Sequence, residues 1–208
     1  ISEFVADLDI AESDPRMWEH YDRAYFSALG LTGEQAIAAA TARTASRATN
    51  PGTRRVDAQG RGQVQRMWSH VLDDNIAGFR RIAESRPVAI VSNNDGTAAK
   101  QCRDASICQV GPGPFVEVVA LVDSGELGIA KPDPRIFTPA IDALDVDPAR
   151  TLYVGDTVHA DVRGATAAGL PVVQLDPYGL HAEDPHWTLP DVSALADHLD
   201  GLGVPPRS

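Results

Sequence analysis

The hydrophobic positions of this chain change their period near residue 76. Before it, Trp18, Tyr21, Tyr25 and Leu29 recur at steps of three or four and draw one apolar stripe along a helix. Asp14-Pro15 ahead of them reads as that helix's start: aspartate accepts from free amides, and proline at the first helical position forfeits no hydrogen bond. Gly30 ends the helix. Thr32-Gly33-Glu34-Gln35 opens a second one that continues through the alanine-rich stretch 36–48, and 50–62, rich in Gly, Arg and Asn, reads as an exposed loop. No strand is expected in this part.

After it, short apolar runs alternate with helical patterns. Helices are expected over 76–84, 97–105, 134–144, 160–168 (stopped by Gly169) and 193–199, and strands over 88–91, 116–122, 151–154 and 172–175. The run Val88-Ala89-Ile90-Val91 has no polar member, as expected of a parallel strand covered on both faces. Such alternation predicts an α/β fold with a doubly wound parallel sheet over 76–208, preceded by a helical domain over 1–75. Ligands of such sheets bind at the carboxyl ends of the strands.

Charge narrows the partners. With 29 acidic and 18 basic residues the formal net charge is -11. An anionic surface disfavours nucleic acid and anionic membrane, and no apolar run approaches the roughly 20 residues of a membrane span. Cys102 and Cys108, with five residues between them and no histidines at ligand spacing, read as reduced structural thiols, which places the chain in the cytoplasm; a zinc or redox site is the lesser reading. Oligomeric state has no signature in the sequence. His181 and His186 flank acidic residues in a tail read as solvent-exposed closing structure.

Three groups of chemically capable residues fall behind predicted strands. Ser92-Asn93-Asn94 offers a hydroxyl and backbone amides to a phosphate oxygen, although the same residues are ordinary turn formers. Lys131, held before Pro132-Asp133-Pro134, is able to stabilise a carboxylate nucleophile and a phosphoryl group, or is simply solvated. Gly155-Asp156 ends a strand, with Asp161 a helical turn beyond. Asp156 suits a hard cation such as Mg²⁺, which prefers carboxylate oxygens, with Asp161 supporting the metal site; the competing reading makes Asp156 a helix cap.

The order Ser-Asn, Lys-Pro-Asp-Pro and Gly-Asp-x4-Asp, with the phrase Asp123-Ser124-Gly125-Glu126-Leu127-Gly128, resembles the haloacid dehalogenase-like (HAD) hydrolase superfamily over roughly 76–180. The resemblance implies a HAD-like Rossmannoid core with a helical cap, a Mg²⁺-dependent phosphatase and a small phosphorylated substrate. By the same resemblance Ser92, with Asn93 beside it, binds phosphate, Lys131 is the motif lysine, and Asp156 and Asp161 form the metal site. Gly155-Asp156 favours the phosphatase-like branch over the dehalogenases.

The family's nucleophile is the first aspartate of an Asp-x-Asp pair after an apolar central strand, and the second is its general acid and base. The candidate here is Asp7-Leu8-Asp9, preceded by Phe4-Val5-Ala6 and followed by Ile10-Ala11, without the usual glycine. Phe4, Leu8 and Ala11 fall at helical spacing. The expectation is therefore a chain whose first motif is absent or degenerate, with its first central strand missing, truncated at the N-terminus or impaired in catalysis. The gap would be filled by 4–6, by another chain or by a rearranged sheet. The alternatives are a non-catalytic HAD-fold binding protein and, more weakly, a haloacid dehalogenase.

Overall fold

Residues 17–49 and 71–202 are described by the computed structural model of this chain. Contacts divide the chain into two units, Ile1–His70 and Val71–Ser208. The expected helix start at Asp14-Pro15, the loop 50–62 and Asp7-Leu8-Asp9 all lie outside the described residues.

In the first unit α1 (Met17–Ala28) and α2 (Gly33–Thr49) are joined through Gly30, whose φ of 88° is a left-handed turn open to glycine. The expected stripe needs correction. Leu29 is 63% exposed, whereas Asp22 is fully buried. Buried Ala36 and Ala40 stand four apart on α2. Arg43, farther along that helix, places Nη1 3.4 Å from Asp22 Oδ1, and its guanidinium lies 5.3 Å from the Tyr25 ring centre and 5.9 Å from that of Phe26. Tyr25 of the stripe, with Phe26 next to it, therefore flanks a charge that pairs with the buried Asp22.

The second unit begins with α3 (Asp73–Ser85), then β1 (Ala89–Ser92), α4 (Ala98–Asp104), β2 (Cys108–Val110), β3 (Val116–Val118), β4 (Ala120–Asp123) and the single turn α5 (Ser124–Leu127). A 3₁₀ turn (Pro134–Phe137) leads into α6 (Thr138–Leu144). Then follow β5 (Tyr153–Gly155), a wide π-type turn (Val158–Arg163), α7 (Gly164–Ala167), β6 (Val172–Leu175), β7 (Trp187–Leu189) and α8 (Val192–Gly201).

Every pairing among these strands is parallel. β1 pairs with β4, Ala89 opposite Ala120 through Ser92 opposite Asp123; β2 pairs with β3; and β5, β6 and β7 form a third ladder. The strand expected over 116–122 is two. Val119 turns its amide to the Val88 carbonyl at 2.8 Å, and the chain leaves β2 to pair with β1. β2 and β7, each three residues long, carry too little periodicity to have been expected. Among the described residues no strand joins the β1–β4 ladder to the β5–β6–β7 ladder.

Burial confirms the doubly wound reading of β1. Ala89 and Val91 pack into one cluster with Val122, Ile136, Phe137, Ala140, Ala165 and Leu170. Ile90, pointing the other way, joins Cys108, Val116 and Val118 with Phe79 and Ala83 of α3. Each β1 side chain nonetheless stays half-buried, so the expectation of full burial is too strong. Cys102 and Cys108 are free thiols, and a hydrogen bond to Cys102 together with burial pushes the Cys108 thiol well above its ordinary range. His181 and His186 are both half-buried, the first paired with Asp184 and the second hydrogen-bonded to Gln174, so their solvent-exposed reading is corrected.

Phe137, 1% exposed, ties this core to the ends of the strands: its ring stands edge-on to Tyr153 at 4.9 Å. Phe137→Ala should cost about 3–5 kcal/mol of unfolding free energy, read from urea denaturation. A loss under about 1 kcal/mol would contradict this placement of the ring.

Candidate functional site

Lys131 is neither solvated nor free to move. Asn93, just beyond β1, grips its backbone from both sides: Asn93 Nδ2 donates to the Lys131 carbonyl at 3.0 Å, and the Lys131 amide donates to Asn93 Oδ1 at 2.8 Å. Asp133 closes the loop beyond by accepting from the Arg135 amide at 3.0 Å, which starts the 3₁₀ turn. The lysine side chain is 11% exposed, and its ammonium reaches Asp161 Oδ1 at 2.7 Å and the Tyr153 hydroxyl at 3.1 Å. An ammonium has three N–H donors. Two are engaged here, leaving one for an incoming acceptor among the described residues.

Asp161 is committed on both oxygens. Oδ1 takes the lysine and the Tyr153 hydroxyl, the latter at 2.7 Å. Oδ2 takes the amides of Asp156 and Thr157 at 3.2 and 2.9 Å and the Thr157 hydroxyl at 2.8 Å. Burial alone would raise its pKa, but the Lys131 charge, these hydrogen bonds and the Tyr153 hydroxyl outweigh it and hold the group at about 2. Thus Asp161, rather than Asp156, receives the first amides of the turn.

Gly155 makes this approach possible. A Cβ there would lie 2.4 Å from both Cβ and Cγ of Asp161, so any side chain would force the carboxylate away. Asp156 follows and opens to solvent. The protein packed around it, and then the Asp161 carboxylate, raise its pKa; Lys131 acts in the opposite sense. Its carbonyl accepts from Gln174 Nε2 at 3.1 Å.

Ser92 ends β1 opposite Asp123, which ends β4. Asp123 is 2% exposed and takes three amides, Gly96 at 2.9 Å and Gly125 at 2.8 Å on one oxygen and Ala98 at 2.9 Å on the other. Ser124 Oγ adds bonds to the Asn94 amide and carbonyl, both at 2.9 Å. The loop behind Ser92 is therefore stapled to the end of β4.

Ser92, Asn93, Lys131, Asp156 and Asp161 thus lie at or just beyond the carboxyl ends of β1 and β5, and direct bonds tie Asn93 to Lys131 and Lys131 to Asp161. Tyr153, Thr157 and Gln174 were given no role from the sequence; Tyr153 and Gln174 act through partners eight to twenty-two residues away, which spacing does not report, whereas Thr157 serves Asp161 four residues on. Among the described residues no group of three His, Cys, Asp or Glu forms a ready metal cage. The donor chemistry still suits a hard cation, since Asp156 presents an open carboxylate with the Asp161 carboxylate close by.

A profile of the family described as haloacid dehalogenase-like hydrolase matches residues 7–169. Phosphoserine phosphatase of Thermus thermophilus is 46% identical over 76 residues, 36% of this chain and 30% of that protein. Glyceraldehyde 3-phosphate phosphatase of Methanopyrus kandleri is 38% identical over 80 residues, 38% of this chain and 33% of that protein. The matches to these curated relatives thus span about a third of their length. The fold is similar to that of the HAD-hydrolase YfnB from Bacillus subtilis, solved bound to magnesium, with a TM-score of 0.58 at 15% identity, covering 96% of this chain and 91% of that one.

Asp161 is held below its ordinary value of 3.8, at about 2, so its contribution to stability is present above about pH 4 and is lost as pH falls toward 2. In metal-free protein this group should account for about 2 kcal/mol of acid destabilisation over that window. Asp161→Asn should flatten the pH dependence of the urea midpoint there by a corresponding amount. A slope equal to that of the wild type would show that the carboxylate is not held down in the folded state.

Proposed function

The chain belongs to the haloacid dehalogenase-like hydrolase family, and we propose that it is a Mg²⁺-dependent phosphatase of small phosphorylated metabolites. The observation that carries this reading is the buried Lys131, gripped by Asn93 and Asp161 so that its charge acts on the solvent-open Asp156. The phosphatase names of its relatives point the same way.

Asp7 is the proposed nucleophile. The family match begins at residue 7 and so takes in Asp7-Leu8-Asp9, which supports this pair. The Asp7 carboxylate attacks phosphorus and the bond to the leaving oxygen breaks, giving an aspartyl-phosphate on Asp7. Asp9 hands its proton to the leaving oxygen, then takes one from the water that opens the acyl phosphate. Lys131 and the Ser92 hydroxyl hold phosphoryl oxygens, and Asn93 positions Lys131. Mg²⁺, bound through Asp156, would offset phosphate charge; Asp161 anchors Asp156 and Thr157 from behind, its own oxygens being engaged. The helical unit is read as the cap that selects substrates. Ile10 and Ala11 stand where the family carries a glycine-containing turn, so turnover should be slower than in relatives that keep it.

The test is Mg²⁺-dependent hydrolysis of p-nitrophenyl phosphate, phosphoserine and glyceraldehyde 3-phosphate by the 208-residue chain. Asp7→Asn should abolish turnover. Lys131→Met should lower kcat about 100- to 1,000-fold, the usual cost of one transition-state charge contact. Asp156→Asn should raise the Mg²⁺ requirement. A folded chain with no turnover on any phosphate would instead be a non-catalytic HAD-fold binding protein, and halide release from a 2-haloacid would make it a dehalogenase.

A further inference from the structure

Gln174 stands in the middle of β6, between Val173 and Leu175, and is 2% exposed. A buried carboxamide costs about 1–3 kcal/mol unless its polar ends are satisfied. Both ends are. Nε2 donates to the Asp156 carbonyl at 3.1 Å, and Oε1 lies 2.6 Å from His186 Nε2. A backbone carbonyl only accepts, so the amide nitrogen must face Asp156 and the amide oxygen must face His186. His186 must then carry a proton on Nε2. The direction of donation is fixed from the C-terminal loop to the site.

That loop is built to deliver His186. The Asp176 amide donates to the Leu189 carbonyl at 2.7 Å, which draws the ends of β6 and β7 together. The Asp176 carboxylate accepts the amides of Leu180 at 3.0 Å and His181 at 2.8 Å. His181 in turn pairs with Asp184 at 3.0 Å. β7 then pairs Thr188 with Gln174 itself.

We infer that Gln174 and His186 are positioning residues for Asp156. They pin the peptide between Asp156 and Thr157, whose rotation would swing the Asp156 carboxylate, and so hold that carboxylate ready for a divalent cation. This rests on the metal role proposed above for Asp156. Asp161 grips the amide side of the same segment and Gln174 its carbonyl side, so the solvent-open carboxylate hangs from a backbone fixed at both faces.

The experiment is thermal unfolding of the full chain across a Mg²⁺ titration, with no substrate present. Gln174→Met keeps the volume and removes both hydrogen bonds; His186→Phe keeps a ring without its donor; His186→Gln restores a donor. Gln174→Met and His186→Phe should raise the Mg²⁺ concentration for half-maximal stabilisation about tenfold, the usual effect of losing a group that orients a metal ligand. His186→Gln should recover most of that shift. If Gln174→Met does not fold, the two variants at half-buried His186 decide. A wild type stabilised by Mg²⁺ beside variants with its own half-saturating concentration, whatever their metal-free Tm, overturns the positioning role alone. A wild type indifferent to Mg²⁺ overturns the metal reading of Asp156 and the positioning role with it.

Discussion

The buried pair of Lys131 and Asp161 organises everything around it. Its side chains are 11% and 4% exposed. Removing two such charges from water costs several kcal/mol per ion, and their attraction offsets this only when the remaining donors and acceptors are also satisfied. The fold meets that demand from four places. The end of β1 supplies Asn93 to the lysine backbone, β5 supplies the Tyr153 hydroxyl, and the turn beyond it supplies two amides and the Thr157 hydroxyl. The loop 128–134 supplies the lysine. A displacement of any one would leave a buried charge short of partners. The requirement extends into the core, because Phe137 braces Tyr153 and a side chain at 155 would occupy the space Asp161 needs.

Three aspartates near the strand ends show how environment divides labour among identical groups. Asp123 is buried and satisfied by backbone amides, so it acts as a structural anion that stitches the loop after β1 to β4. Asp161 is buried and satisfied by an ammonium, and sits far below the ordinary carboxylate range. Asp156, one residue past β5, is left open and is pushed upward by its surroundings. Only that last environment leaves a carboxylate available for a ligand.

How legible this was depended on range. The alternation of apolar runs and helices revealed the parallel α/β architecture, because covered strands and amphipathic helices leave periodic traces. Ser92, Lys131 and Asp156 stood out through the order of the motifs that carry them; taken singly they also read as a turn former, a solvated lysine and a helix cap. Tyr153 and Gln174 were invisible as functional candidates: in sequence they are a tyrosine and a glutamine inside short apolar strands, and their partners lie eight and twelve or more residues away. Asp22 was hidden for a related reason, since its cation, Arg43, lies on another helix. The break at Val119 was missed because hydrophobic pattern reports burial, and Val119 changes pairing partner within one apolar run.

The charge balance of the site bears on what it can accept. Within the described residues Lys131 faces two carboxylates, on a chain whose formal net charge is -11. A phosphate dianion approaching that set meets one ammonium already shared with Asp161 and an open carboxylate beside it. Electrostatics alone would repel it, and would do so more strongly in a water-poor site, where charges are less screened. The repulsion reverses if a divalent cation first settles on the open carboxylate, because its charge exceeds that of any side chain present. The same cation would lower the Asp156 pKa that its neighbours now raise. Net acidity and phosphate chemistry would thus be compatible through one ion, carried on a carboxylate whose backbone Asp161 takes by its amide and Gln174 by its carbonyl.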